Sequence, residues 1–313
     1  MNLAQVVAAY VTHRQAMGMR FRTEARILQS FSRALGEVRT IQEITADQLL
    51  AFLAGTGPVT RNWERKHSAL GGLYRFAVAR GYVDHSPLPR TVPQPQEAFV
   101  PYIYSREELR RLLDAVAAND HPRCRIDPDT YRTILLLLYG AGLRISEALA
   151  LTMADVDVDA GVVCIPESKF YKSRLVPIGD DLLQILAPYA ARRRQRHAGA
   201  ASPFFVSRRG TAVTRQDAER AFCRLRVRAN VVRGAAGARH QPRLHDMRHA
   251  FAVHRLVSWY REGADVQRLL PKLSTFLGHV HIAGTQRYLT LTPELLRQAN
   301  LRFERYAMEP SDE

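Results

Sequence analysis

The chain has 313 residues, 46% of them apolar, which is enough for two separately cored domains. Its longest apolar runs, Ile134 to Tyr139 among them, are far too short to cross a bilayer. A formal charge of +15 and an isoelectric point near 10.3 favour a polyanionic partner, nucleic acid ahead of an anionic membrane surface.

Residues 1–100 carry 12 basic and 7 acidic side chains, so both halves of the chain are basic and both are expected to touch the polyanion. The N-terminus lacks the basic segment of a signal peptide, an expectation of cytoplasmic residence. Cys124, Cys164 and Cys223 are widely spaced and form no Cys-x-x-Cys pair, so they read as buried free thiols.

The first hundred residues read as helices. Apolar residues recur at helical spacing from Leu3 to Met17, and again from Thr23 to Leu35 with Ile27, Leu28, Phe31 and Leu35 on one face. Thr45 is an N-cap candidate for Ala46 to Leu53, which Gly55-Thr-Gly-Pro58 then breaks. A longer helix, Val59 to Arg80, carries Arg61, Arg65 and Lys66 on a basic face that is either merely solvated or turned to a nucleic-acid backbone. Residues 87–101 contain five prolines and no period, the composition of a semi-rigid linker. The expected division is therefore a helical domain at 1–86, the linker at 87–101 and a second domain at 102–313.

Ser105-Arg-Glu-Glu108 forms a capping box that opens a helix over Arg106 to Ala118. An apolar helix follows from Thr130 to Tyr139, then the break Gly140-Ala-Gly142, then a helix beginning around Arg144. Val162–Ile165 and Arg174–Ile178 read as a hairpin. Further helices are expected near Asp181–Arg194, Thr214–Arg228, Leu244–Glu262 and Asp265–Leu277. A last one starts at Thr292-Pro293, with proline at its first position. The fold class is mainly α with a small antiparallel sheet.

Several residue types suit chemistry on a phosphate. Arg144 sits where a helix start offers free N–H groups beside a planar guanidinium, and Glu147 three residues on can orient it; the same pair is also common surface decoration. The hairpin tip holds Lys169 and Lys172, with Arg174 just beyond it. Only four lysines occur among 45 basic residues, and lysine, unlike arginine, can give up its proton near neutrality. That retention suggests proton donation to a departing alkoxide. His245 and His249 are one helical turn apart, as in a zinc-binding pair, but Asp246 and the nearby Arg243, Arg248 and Arg255 disfavour a metal, so none is expected. His245 with Arg248 instead suits gripping and protonating a phosphate. His249 and His254 read as packing or surface histidines. Beyond His279 lies Tyr288, a core residue or a nucleophile that would conserve a phosphodiester as a phosphotyrosyl ester. No glycine-rich phosphate loop is present, and no nucleotide cofactor is expected.

Taken in order, Gly140-Ala-Gly-Leu-Arg-Ile-Ser-Glu-Ala-Leu149, Ser168-Lys169, Arg174-Leu-Val-Pro-Ile178, His245-Asp-Met-Arg-His249, Leu-Gly-His279 and Tyr288 closely resemble the tyrosine recombinase (phage integrase) family. The resemblance implies a helical core-binding domain joined to a catalytic domain as a clamp on duplex DNA, with a tetramer at synapsis and two-step strand exchange through a Holliday junction. Matched motif by motif, it implies Arg144 and Arg248 as the phosphate clamp and Lys169 as acid for the leaving 5′-oxygen. His245 would be the general acid/base, His279 a phosphate hydrogen-bonding group, Tyr288 the nucleophile and Glu147 the support of Arg144. Arg61, Arg65, Lys66, Lys172 and Arg174 are expected as further DNA contacts, and the final helix as a docking element for a neighbouring protomer.

The sixteen residues from Gly263 to His279 exceed the simplest pattern by about one helical turn, and a separate N-terminal arm-binding domain of the lambda type is not expected. Both features resemble integrases of mobile elements. The other readings are a type IB topoisomerase and a catalytically silent DNA-binding partner, with companion recombinases or accessory proteins left open.

Overall fold

The computed structural model describes residues 1–36, 40–54, 59, 61–91, 93, 100–118, 124–166, 173–196, 199–234, 241–290 and 293–308, with the side chains of 61, 293 and 302–308 outside the description. By internal packing the chain divides into Met1–Phe99 and Val100–Glu313.

Among the described residues the first unit holds four α-helices, α1 (Leu3–Ala16), α2 (Arg22–Leu35), α3 (Ala46–Ala54) and α4 (Arg61–Ala79). Asn2 opens α1 with a capping box to Gln5, and Thr45 opens α3 the same way through Gln48. Leu3, Val6 and Val7 of α1, Leu28 and Phe31 of α2, Leu49 and Leu53 of α3, and Leu70, Leu73 and Tyr74 of α4 bury together as one core. Ser32 rather than Leu35 completes the buried stripe of α2. The expected break at Gly55–Pro58 lies outside the described residues.

The second unit begins with α5 (Arg106–Ala118), capped by Ser105 and Glu108 in both directions. Helix α6 (Pro128–Gly140) starts two residues earlier than its apolar pattern suggests. Asp127 accepts from the Thr130 N–H at 2.9 Å, and Pro128 fills the first helical position, where no N–H is needed. Gly142, at φ +60°, turns the chain into α7 (Ile145–Ala150). The hairpin is the outer part of a three-stranded antiparallel sheet, β1 (Val156–Asp157), β2 (Val162–Ile165) and β3 (Arg174–Pro177), in the order β1-β2-β3 with Val163 opposite Val176. A two-residue strand has no alternation to read, which is why β1 leaves no trace in the sequence.

Then come α8 (Asp180–Arg196), α9 (Arg215–Arg228), α10 (Asp246–Arg261), α11 (Val266–Leu277), the short α12 (Ala283–Gln286) and α13 (Pro293–Met308). A single 3₁₀ turn, Arg287–Thr290, follows α12. Helix α10 is the central element. Every residue from Asp246 to Val253 is buried, because α6, α11 and α13 all pack on it. Leu295 of α13 is buried there and Glu294 pairs with Arg261 at 2.7 Å, so the described part of the last helix is tied to its own chain. The three cysteines are free, but only Cys124 is buried; Cys164 is half-buried and Cys223 exposed on α9. Among the described residues no helix is long and apolar enough to cross a membrane.

Candidate active site

The site forms where α7, β3, α10 and the end of α11 converge. Glu147 is its centre. Its Oε1 accepts from Arg144 Nη1 at 2.6 Å and from Arg174 Nη1 at 3.1 Å, and its Oε2 from Arg174 Nη2 at 2.8 Å and the Arg144 backbone N–H at 2.9 Å. Arg248 Nη1 lies 3.9 Å from the same carboxylate. Burial pushes the Glu147 carboxyl up, but the Arg174 hydrogen bonds, the Arg144 N–H and the two positive charges outweigh it and hold the group at about 2. One carboxylate against three guanidiniums leaves an excess of positive charge, which an anion would balance.

The same arginines also cap α11. Gly278 ends that helix in the left-handed conformation, φ +65°. Three consecutive carbonyls at this end each take a different arginine: Phe276 O accepts from Arg174 Nε at 3.0 Å, Leu277 O from Arg248 Nη2, and Gly278 O from Arg144 Nη2 at 2.9 Å. Helix-terminal carbonyls lack partners within the helix and carry its negative dipole end, so cations are favoured there. Arg248 is further fixed to Gly142 O at 2.7 Å. A Cβ on Gly278 would stand 2.7 Å from Arg174 Nη1, so the glycine lets the guanidinium lie against the backbone.

Tyr288 is buried, with 1% of its surface exposed. Its hydroxyl is hydrogen-bonded to His249 Nδ1 at 2.9 Å. Burial raises the Tyr288 pKa, while Arg248 and Arg287 oppose the rise. His279 hydrogen-bonds Thr285 Oγ1 through Nδ1 at 2.7 Å and stacks on the Tyr288 ring with centroids 6.1 Å apart. His245 sits edge-on to His249 at 4.9 Å. Burial first, and then the nearby arginines, depress the imidazoles of His245 and His279 to about 4; for His249, burial and then His245 precede Arg287 in holding it at about 3. All three rings are neutral at pH 7. An anion cradle of fixed guanidiniums beside a phenol and neutral imidazoles can bind a phosphate and attack it.

Arg144, Glu147, His245, Arg248, His279 and Tyr288 are thus brought together from positions up to 144 residues apart. Lys169 and Lys172 lie outside the described residues, as does the side chain of Arg61. Two residues expected as DNA contacts make contacts within the chain. Arg174 does not face outward: its side chain is 9% exposed and its guanidinium is committed to Glu147 and Phe276 O. Lys66 turns its ammonium to Phe52 O at 2.6 Å and over the Phe52 ring at 4.4 Å, whereas Arg65 is exposed on α4. His249 is the residue the sequence reading undervalued; its place directly after Arg248 was the available signal. His254 hydrogen-bonds Tyr139 at 2.9 Å.

The Phage integrase family profile matches residues 104–294. A Sinorhizobium fredii protein named as an integrase/recombinase, y4rB, is 41% identical over 312 residues, covering 96% of each chain. Tyrosine recombinase XerD of Mycobacterium leprae is 33% identical over 239 residues, covering 74% of this chain and 69% of its own. Among solved structures, the Tn1549 transposon integrase in complex with a circular intermediate DNA has a TM-score of 0.71 at 18% identity, over 98% of this chain and 99% of that one. A lambda integrase tetramer bound to a Holliday junction has a TM-score of 0.66 at 16% identity, over 92% and 77%. At those identities the structural likeness speaks for the fold: a mainly helical molecule with a small antiparallel sheet.

Proposed function

The chain belongs to the phage integrase family of tyrosine-type site-specific recombinases, and from that premise we propose that it cuts and rejoins duplex DNA at specific sites through a 3′-phosphotyrosyl intermediate on Tyr288. The observation that carries this reading is the pair of guanidiniums, Arg144 and Arg248, hydrogen-bonded to adjoining carbonyls at one helix end, with the Tyr288 hydroxyl bonded to His249, the residue after Arg248. A scissile phosphate between them would meet fixed positive charge where negative charge develops on its equatorial oxygens. His279 and His245 border the same space; His279 would hydrogen-bond the phosphate and His245 would serve as general acid/base. Lys169, which lies in sequence between β2 and β3, would protonate the leaving 5′-oxygen. Glu147 supports Arg144 directly.

The domain reading follows the same premise: residues 1–86 as a core-binding domain, 87–101 as linker and 102–313 as the catalytic domain. The partner is duplex DNA carrying core sites, with four protomers assembled at synapsis, as the lambda integrase tetramer on a Holliday junction illustrates for that protein. The biological setting we favour is a mobile element, supported by the long Gly263–His279 connection, which folds as one helix, α11, through Pro271.

The deciding experiment uses a nicked suicide duplex bearing a site selected from random DNA by binding. The wild-type protein should become covalently joined to the 3′ side of the cut, and Tyr288→Phe should bind the duplex without forming the adduct. An adduct from Tyr288→Phe would remove the assignment. On plasmids carrying two such sites, recombinant products are expected; relaxation of supercoils without recombinants would mark a topoisomerase instead.

A further inference from the structure

We propose that His249 accepts the proton of the Tyr288 hydroxyl as that oxygen attacks phosphorus, while the acid/base role of His245 is exercised at the phosphate oxygens. The proposal rests on Tyr288 being the nucleophile. The geometry is direct: Nδ1 lies 2.9 Å from Oη, with the two ring centroids 5.5 Å apart and both residues buried. The other imidazoles are placed differently. His279 commits its Nδ1 to Thr285 and meets Tyr288 only by stacking, while His245 meets the His249 ring edge-on.

A buried phenol that keeps its proton is a weak nucleophile, and the burial of Tyr288 raises its pKa. An unprotonated acceptor at the hydroxyl answers that need. The groups facing His249 keep it unprotonated: burial acts first, then His245, Arg287 from the 3₁₀ turn, Arg248 from the first turn of α10 and Arg243 from just before it. A phosphodiester arriving at Arg248 brings negative charge to the same place, which favours the protonated ring at the moment the proton must move.

The step balances without oxidation or reduction. The Tyr288 O–H bond breaks and its proton passes to Nδ1; the Oη–P bond forms; the P–O5′ bond breaks, and the 5′-oxygen takes a proton from Lys169. In religation each transfer reverses, and protonated His249 returns the proton to the departing tyrosine oxygen. His249 touches the reacting atom and is in this sense a catalytic residue.

Asparagine separates proton acceptance from mere positioning, because its Oδ1 can receive the tyrosine hydrogen bond from near the Nδ1 position but cannot take the proton. In single-turnover assays on the nicked suicide duplex, His249→Asn and His249→Gln should bind DNA as the wild type does and form adduct about 100-fold more slowly. Their rates should climb with pH where the wild type is flat. Religation should slow by the same factor, and an acidic fluorotyrosine at position 288 should recover much of the loss. Duplex binding reports folding in each variant, and the glutamine variant covers a failure of asparagine to fold. Adduct formation by His249→Asn within about threefold of wild type would overturn the proposal, as general-base losses run far larger. An absent wild-type adduct, or an adduct from Tyr288→Phe, would instead overturn the nucleophile reading and the proposal with it.

Discussion

Glu147 and Arg174 form a two-point ion pair, 2.8 Å between Oε2 and Nη2 and 3.1 Å between Oε1 and Nη1, with each side chain only 9% exposed. The pair joins β3 to the start of α7, and through Phe276 O it reaches the end of α11. Arg144 opens α7, His279 follows α11, and Arg248 of α10 bonds Leu277 O at that same end, so the pair sets the distance between the halves of the cradle.

Glu147→Gln is expected to destabilise the protein by about 3 kcal/mol, because it leaves buried guanidiniums without their carboxylate. Urea unfolding measures this. Adding Arg174→Met should cost less than the sum of the single changes, since the second removes a charge the first has orphaned. Additive losses would mean the pair is not the strut.

Gly278→Ala should cost about 1–2 kcal/mol for the left-handed backbone alone. The new Cβ would also press on Arg174, 2.7 Å from Nη1. Thermal unfolding should show the loss, and adduct formation should slow while duplex binding persists. An unchanged cleavage rate would uncouple the helix end from the arginines.

Stability should fall as pH drops from about 6.5 to about 4. His245, His249 and His279 are held near 4, 3 and 4 in the folded state, so in this window the unfolded chain binds more protons, and stability rises with pH across it. Glu147 acts lower: its pairing stabilises above the ordinary carboxylate pKa and is lost as pH falls towards about 2. Melting temperatures across pH 4–7 test the sign, and His249→Asn should flatten the slope.

In DNA binding, Arg65→Ala should weaken affinity and reduce the slope of log affinity against log salt by about 0.9, the release expected for one phosphate contact. Lys66→Ala should leave that slope unchanged and lower stability instead, because its ammonium is held by Phe52. Binding titrations at several salt concentrations separate the two.

Lys169→Arg should bind DNA normally and cleave far more slowly, because a guanidinium is a poor proton donor. A duplex with sulfur at the 5′ leaving position, which needs little protonation, should restore the rate. Normal cleavage of the ordinary duplex would discard the general-acid role.

The helices, their caps and the order of the site motifs are written locally. Thr45 with Gln48, Ser105 with Glu108 and Thr214 with Asp217 bond within four residues, and apolar spacing fixes each buried face without reference to the rest of the chain. From sequence, Arg144 and Glu147 are neighbours for the same reason. The roles of Arg174, Lys66 and His249 are not local. Arg174 meets Glu147 and Phe276 across 27 and 102 residues, Lys66 meets Phe52 across 14, and His249 meets Tyr288 across 39. A long cation looks the same in sequence whether it turns to solvent, to DNA or to a buried carboxylate. Only the packed positions of the elements decide, β3, α10 and α11 for Arg174 and His249 and α3 with α4 for Lys66, because burial removes water as the competing partner and makes each buried charge find a fixed one.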